Sequence, residues 1–301
     1  MTKKAVYGFS NPNSRTLWQE AQIRFRRNRI AVVCFYVLAA LALLALATFV
    51  IDLVTDNAVY NKYVIKQNLQ YKLEPPSAAH PFGCDEYGRS ILFRMLWGAR
   101  FSLFVGIFSV AMAGAVGGIL GALAGFYGSR IDNVIMRVMD IFLAIPATIM
   151  AIALAAALGT STFNLLISIA LPRVPRFARV VRASVMSVRD QEFVEAARAV
   201  GASDTRLIFR YILPNVIAPL IVTGTLEIAQ AILTIATLSY LGLGAQAPVP
   251  EWGSMLSSAR NYIRDAWHIT IIPGLGIMLT VLSLNLFGDG LRDALDPKQK
   301  R

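Results

Sequence analysis

Few residues of this chain could carry out covalent chemistry. Among 301 residues there are two histidines, His80 and His268, and two cysteines, Cys34 and Cys84. The patterns HExxH, CxxC and GxSxG do not occur in the sequence, so it offers no zinc-protease helix, redox dithiol or nucleophile elbow. The phosphate-binding pattern GxxxxGK[ST] does not occur either, and any ATP must be bound by another chain. We therefore expect no catalytic residue, no metal ligand and no cofactor in this chain.

Three charged residues lie within long apolar stretches, and they are the candidates for binding a solute. Arg137 and Asp140 are three residues apart, on one helix face, which favours an internal ion pair. Glu227 lies near the middle of the apolar stretch 215–244. A carboxylate at that depth should face protein or water. It could contact the amino group of a peptide or bond neighbouring helices, and the sequence leaves both alternatives open.

The segment EFVEAARAVGASDTRLIFRYILP, residues 192–214, is unusually polar for its surroundings. Phe193, Ala196, Ala197 and Val200 recur at i, i+3, i+4 and i+7, which predicts a helix with one apolar stripe. Such a helix could lie against the bilayer or its own bundle. The small alanines favour docking into a groove, since a membrane-surface helix usually carries Trp, Leu and Lys.

The ends of this helix are also indicated by the sequence. Asp190 could cap its N-terminus, and Glu195 lies off the apolar stripe. Gly201 fits the position after the helix, where a positive φ is needed. Ser203 could begin a second short helix, which Pro214 would end as the next apolar stretch begins. The segment thus predicts a helix, a tight turn and a second helix.

The composition indicates an all-α membrane protein. The chain is 56% hydrophobic and 16% charged, with mean hydropathy +0.55, whereas soluble domains carry about 25% charged residues. About 20 apolar residues in a helix cross the bilayer. The sequence predicts six transmembrane helices in these stretches: 30–51, 101–129, 134–158, 163–181, 215–244 and 269–288. In the second stretch Gly117, Gly121 and Gly125 share one helix face and favour close packing of another backbone.

The distribution of Lys and Arg predicts the orientation. Seven precede the first span and eight lie between residues 172 and 214, against six in 52–100 and two in 245–268. The positive-inside rule then places both termini and the 172–214 segment in the cytoplasm. This also accounts for the net charge of +11 without nucleic acid as a partner.

The predicted organisation follows from these spans. The long basic leader favours an uncleaved first helix over a signal peptide. Residues 52–79 should contain short strands, and Trp97 should anchor the external segment at the membrane interface. The predicted regions are a cytoplasmic segment 1–29, the first transmembrane helix 30–51, an external segment 52–99, a transmembrane domain 100–288 with a cytoplasmic loop 183–214, and a cytoplasmic tail 289–301.

The 192–214 segment resembles the EAA loop of ABC-type importer permeases, EAA-x3-G-x9-I-x-LP. Glu195-Ala196-Ala197 is followed at the right offsets by Gly201 and by Leu213-Pro214, with Tyr211 in place of the usual Ile. In that family this helix is the coupling helix that seats in a cleft of a separate ATPase subunit. The resemblance implies that Phe193, Glu195, Ala196, Ala197, Val200, Gly201 and Pro214 form the docking site.

Other segments resemble the dipeptide and oligopeptide permeases of that family. HPFGCDEYGRSILFRMLWGAR, 80–100, is similar to HxLGTDxxGRDxxSRxxxGAR, with Cys84 in place of Thr. Residues 132–146, 238–256 and 285–298 are also similar to these permeases, and residues 15–32 resemble the second, C-type permease of the peptide systems. Residues 52–79 match nothing in the pattern and predict a small external insert between helices 1 and 2.

The resemblance implies a subunit of a bacterial inner-membrane importer for di- or oligopeptides, with the type I ABC importer permease fold. Its partners would be a homologous second permease, forming a heterodimer, two ATPases that bind ATP and Mg²⁺, and an extracytoplasmic peptide-binding protein. The same machine carrying nickel or another small solute is the alternative. A proton-coupled carrier that uses Glu227 and Asp140 would fit neither the EAA loop nor the lack of an internal repeat. A purely structural membrane scaffold is a further alternative.

Overall fold

The computed structural model describes residues 17–295, and all its longer elements are helices. Residues 1–16 of the predicted cytoplasmic segment 1–29, and residues 296–301 of the predicted tail 289–301, lie outside the described residues. The helices are α1 Leu17–Arg27, α2 Arg29–Val54, α3 Ile91–Tyr127, α4 Ser129–Leu143, α5 Ala147–Leu158, α6 Thr162–Ala170, α7 Val174–Arg189, α8 Glu192–Ala199, α9 Asp204–Arg206, α10 Leu213–Tyr240, α11 Trp252–Ala259 and α12 His268–Leu295.

Four helical segments in 17–295 are long and apolar enough to cross a membrane: α2, α3, α12 and the continuous segment that ends with α10. The predicted third span is instead broken into α4 and α5, which meet at 83°. Pro146 causes this break because it lacks an N–H and disfavours helix in the residue before it. The predicted fourth span is likewise divided, into α6, a 3₁₀ turn at Leu171–Arg173 and α7.

The glycine stripe predicted in α3 is confirmed as a packing face against α7. A Cβ at Gly117, Gly121 or Gly125 would run into the backbone carbonyl of Val174, Ala178 or Arg182, respectively. Both sets recur every four residues, so the two helices remain in contact over two turns. The backbones can approach this closely because the glycines have no side chains.

The beginning of α10 differs from the prediction. Pro214 does not separate two helices, because residues 204–240 form one continuous helical segment. The segment passes through a π-helical turn at Leu207–Ile212, just before Pro214 in the first turn of α10. A π turn changes the local hydrogen-bond pattern and accommodates a residue without a donor. Tyr211 is half-buried within this turn.

The segment between α2 and α3 contains no strand, contrary to the prediction. It forms a π-helical turn at Tyr60–Ile65 and a 3₁₀ turn at Leu69–Tyr71, and its one bridge pairs Cys84 with Ser90. The expected interfacial role of Trp97 is also wrong. Its side chain is buried, and its indole N–H donates to Asp52 at 3.0 Å. We call this end of the bundle the insert end and the end that carries α8 the loop end.

The apolar core of residues 17–295 consists of three clusters. Its central part lies between α3, α6, α7 and α10, and a second part lies between α3, α11 and α12. By contrast, α2 is mostly exposed and packs on α3 and α12. The loop end has its own apolar cluster, which positions α8.

Candidate functional site

Helix α8 is fixed to the bundle by one fully buried side chain. Val194 is inaccessible to solvent and lies in the loop-end cluster. The same cluster contains Val181, Val185 and Val188 of α7, Leu207 and Ile212 of the π turn, and Val216 of α10. Because this valine is buried in a cluster that both flanking helices share, α8 is packed between them.

The opposite face of α8 is apolar and exposed. Phe193 is 42% exposed and Val200 is 90% exposed, and Ala196 between them is also exposed. Ala197 differs from the rest of the predicted stripe, because it is half-buried against the loop-end cluster. An exposed apolar stripe on a helix whose inner face is already buried is a surface suited to a partner.

The two ends of α8 are formed by different means. The predicted N-cap is wrong: Gln191 occupies that position without a side-chain cap, and Asp190 pairs with Arg189 instead. The predicted C-terminus is confirmed. Gly201 has φ +90°, with hydrogen bonds from its N–H to the carbonyl of Arg198 and from Ala202 to Ala197. These two bonds form a Schellman motif, which ends the helix abruptly.

Besides α8, a second candidate site contains four arginines on one helical segment. Arg173, Arg176, Arg179 and Arg182 follow one another at intervals of three. Three residues advance an α-helix by about 300°, so each arginine is rotated about 60° from the one before. The first two therefore reach α10, and the last two reach α4.

Glu227 lies between the first two arginines. Its carboxylate is 3.3 Å from Nε of Arg173 and 2.6 Å from Nη1 of Arg176. Arg173 also donates to the carbonyl of Ile169 and to the hydroxyl of Thr234. Glu227 and Arg173 are buried, whereas the side chain of Arg176 is 58% exposed. The geometry favours the alternative in which Glu227 bonds neighbouring helices.

The predicted pair between Arg137 and Asp140 is not present. Asp140 lies 2.6 Å from Arg179 of α7, and both side chains are about half exposed. Arg137 is exposed on the same helix as Asp140. One turn further along α7, Arg182 makes a bidentate contact with Asp132 at 2.5 and 2.6 Å. Two arginines of α7 thus replace Arg137 as the partners of α4.

Sequence reasoning missed the α7 arginines and Val194. The spacing RVPRFARVVR at 173–182 was visible, but it was treated as positive charge that sets orientation. Val194 was missed because the stripe that defines the outer face was interpreted as the whole apolar content of α8. The acids also lie far from their partners in sequence, so only the fold shows which pairs form.

The insert end holds further buried polar groups. Asp85 lies 2.7 Å from Arg89 and 3.4 Å from Arg94. Glu251 caps α11 by accepting hydrogen bonds from Gly253 and Ser254, and burial raises the pKa of its carboxyl. The Asp85 cluster is local in sequence, but Arg94 also donates to the carbonyl of Val64, and Ser102 of α3 donates to Glu251 at 3.4 Å.

The cysteines are separate, as predicted, and both are free. Cys84 is fully buried near His80 and Glu74. Burial, together with the carboxylates of Glu74 and Asp85, raises the pKa of its thiol to about 11. The second histidine, His268, lies 3.3 Å from the carbonyl of Cys84, so both histidines are close to this cysteine.

Comparisons with known proteins agree with this architecture. The profile described as binding-protein-dependent transport system inner membrane component matches residues 117–301. A second profile, the N-terminal transmembrane domain of oligopeptide transport permease C, matches residues 16–76. The fold is similar to a chain of the MetNI methionine ABC transporter, with a TM-score of 0.55 and 17% identity over 68% of this chain and 98% of that chain.

Curated relatives cover nearly the whole sequence. A dipeptide transport system permease protein of Alkalihalophilus pseudofirmus is 47% identical, over 94% of this chain and 90% of its own length. A glutathione transport system permease protein of Pectobacterium atrosepticum is 42% identical, over 95% and 93%. A probable D,D-dipeptide transport system permease protein of Escherichia coli is 49% identical, over 77% and 78%. The chain therefore belongs to the binding-protein-dependent transport system inner membrane components, as a C-type permease subunit of an ABC transporter and not itself an enzyme.

Proposed function

We propose that this chain forms half of the translocation pathway of an ABC importer for di- or oligopeptides. The names of three relatives that are 47–49% identical, each a dipeptide or di/tripeptide permease, support this solute class. Nickel or another small solute is the second candidate. The relative named as a glutathione permease also carries a small peptide and fits the same class.

The observation that carries the proposal is the exposed apolar face of α8. Phe193, Ala196 and Val200 would seat in a cleft of an ATPase, with Glu195 beside them and Ala197 turned inward. Val194 and the Schellman turn at Gly201 hold the helix rigid. Movement of the ATPase would then be transmitted to α7 and α10, because a rigid connection does not absorb displacement.

The proposed arrangement in the membrane has six crossings. The bent pair α4–α5 and the segment 162–189 would supply the two crossings that are not single long helices. In this orientation both termini and the loop end, within 183–214, face the cytoplasm, and Pro214 begins the fifth crossing. Residues 52–79 would form an external insert, near a substrate-binding protein. The partners are a homologous second permease, two ATPases that bind ATP and Mg²⁺, and that binding protein.

The proposed pathway contains the exposed charges near α7. Arg137 and Asp140 would face the water-filled side, and Glu227 would neutralise Arg173 behind them. A cleft of about 410 Å³ between α7, α10 and α12 is lined by Arg176 and Arg292 and contains no acid in its lining. Arg292 there would attract the carboxylate of a peptide, beside Arg176, which is already paired with Glu227.

The experiment replaces Val200, which is exposed, with Asp in the full importer. We expect the permease to insert normally while the ATPases no longer co-purify and dipeptide uptake falls at least ~10-fold, the change given by about 1.4 kcal/mol. The control is a polar substitution at another exposed valine, Val134→Ser on α4. Serine is used there rather than aspartate because a charge at Val134 would face the lipid. This control should preserve both co-purification and uptake.

Two results would overturn parts of the proposal separately. Full ATPase binding and transport in Val200→Asp would reject α8 as the docking helix. Uptake of labelled nickel, with no uptake of di- or oligopeptides, would reject the peptide class while leaving the coupling helix intact.

A further inference from the structure

We propose that Glu74, His80 and Cys84 at the insert end bind one Zn²⁺ ion. The sequence predicted no metal ligand, since these residues form no recognised spacing. In the fold, one carboxylate oxygen, one imidazole nitrogen and one sulfur lie within 4.8 Å of one another. These three ligand types are the ones that zinc uses in proteins.

The donor atoms are directed at one another. Oε2 of Glu74 and Nδ1 of His80 are 3.0 Å apart. They form an ion pair, but both atoms are buried and neither makes a hydrogen bond, to the other or to any other described residue. A cation between them would satisfy both atoms, and buried polar atoms otherwise require a partner.

The separations are compatible with coordination after small side-chain rotations. Zinc lies about 2.0–2.3 Å from its ligands, so tetrahedral ligand atoms are roughly 3.3–3.8 Å apart. The widest pair must therefore shorten by about 1 Å. The side chains of Glu74 and His80 are partly exposed and can rotate, whereas Cys84 is fully buried and fixed.

The backbone already holds the three residues together. The N–H of Cys84 donates to the carbonyl of Glu74 at 2.9 Å, and the N–H of Gly83 donates to the backbone carbonyl of His80 at 2.8 Å. The hydroxyl of Ser77 donates to Oε1 of Glu74 at 3.2 Å, which leaves Oε2 for the metal. Hydrogen bonds of this kind orient ligands in metal sites.

The charges favour a divalent, thiophilic ion. A carboxylate and a thiolate together balance Zn²⁺, and the nearby Asp85 is already paired with Arg89 and Arg94. Hard cations such as Mg²⁺ and Ca²⁺ prefer all-oxygen sites, and a sulfur ligand discriminates against them. Three protein ligands also leave a fourth position open for water.

The experiment measures bound metal on the full-length chain purified in detergent. The protein is exposed to ZnSO₄, washed with a weak chelator and analysed by mass spectrometry of the metal. We expect one zinc per wild-type chain. Glu74→Gln, His80→Gln and Cys84→Ser should each weaken binding by about 100-fold or more, beyond the 10–100-fold typical of losing an outer-shell partner.

Matched controls are Glu86→Gln, an acid adjacent in sequence to Asp85, and Cys34→Ser, the other cysteine; both should retain the zinc. A second readout replaces zinc with Co²⁺, which gives a near-ultraviolet thiolate-to-cobalt charge-transfer band if Cys84 is a ligand. Wild-type protein that binds no zinc, Cys84→Ser that binds it fully, or cobalt bound without that band would each overturn the proposal. If a variant fails to fold, the presence or absence of the cobalt band in the wild-type protein still tests whether Cys84 is a ligand.

Discussion

Glu227 and Asp140 both lie in apolar stretches, yet their surroundings differ. Glu227 is buried between two arginines, whereas Asp140 and its partner Arg179 are about half exposed. A buried carboxylate without its partners would cost several kcal/mol. An exposed pair contributes about 0–1 kcal/mol. The two acids should therefore respond differently to the same kind of substitution.

We expect Glu227→Gln to destabilise the protein by about 3 kcal/mol, since it leaves Arg173 buried without its counter-charge. Thermal unfolding of the purified permease measures this. Asp140→Asn is the control and should change stability by less than about 1 kcal/mol. If Glu227→Gln kept full stability but lost peptide uptake, Glu227 would instead be a ligand of the solute.

At the residue scale Cys84 gives a prediction for pH. Its thiol pKa of about 11, against 9.0 for an ordinary cysteine, means that the folded protein holds the proton more strongly. Stability is therefore lost as the pH rises from 9 to 11. At pH 8 the thiolate should be about 100-fold rarer than in the unfolded chain.

Alkylation of Cys84 in a Cys34→Ser background, with chelator present, tests this prediction. The rate constant should rise with pH up to about 11 and show no plateau near 9. Urea-unfolded protein is the control and should level off near 9. A plateau near 9 in the folded protein would contradict the burial argument.

At the scale of elements, the contact between α3 and α7 depends on glycine positions where one added methyl group would prevent close packing. Gly121 lies against the backbone of Ala178, while Gly118, rotated about 60° from it around α3, has nothing within 4 Å. The same chemical change should thus have opposite consequences at the two positions. The difference tests the packing independently of helix propensity.

We expect Gly121→Ala to lower stability by about 1–3 kcal/mol, as overpacking usually does. Gly118→Ala should be neutral or stabilising by up to about 1 kcal/mol, because alanine favours helix. Comparing the melting temperatures of the two purified variants measures the effect. Equal melting temperatures would mean that α3 and α7 are not packed through this face.

Elements could be predicted where one local pattern determines them. The Gly201 turn followed from the residue type that a positive φ requires, and the glycine stripe followed from a period of four. The break at Pro146 and the π turn before Pro214 were missed because proline shows that something must change but not how. Strands were wrongly expected in 52–79, because residues 17–295 form no sheet with which they could pair.

At the scale of the whole molecule, the sequence predicted an all-α membrane protein and the family resemblance, but not which polar side chains pair with each other. Glu227 and Arg173 are far apart in the chain, as are Asp52 and Trp97, and such contacts arise only from packing. The cluster of Glu74, His80 and Cys84 lies within eleven residues of sequence and was missed for a different reason. Its ligands meet through loop turns that no periodicity describes.

The proposed orientation predicts where single cysteines can be labelled. In a chain without Cys34 and Cys84, Val200→Cys should react with a membrane-impermeant maleimide only after cells are opened. Gln70→Cys, in the exposed insert, should react in intact cells. Labelling of Val200→Cys in intact cells would contradict the cytoplasmic position of α8.

The close fit of α3 against α7 has a mechanical consequence. At about 1.5 Å per residue, α3 is about 55 Å long and spans from the loop end to the insert end. Because their backbones are in close contact, the two helices cannot slide past each other and should move as one rigid body. A displacement of α8 by a docked ATPase would then reach the opposite end of α3, where Arg94 and Trp97 hydrogen-bond to Val64 and Asp52. Bending would be confined to the break at Pro146.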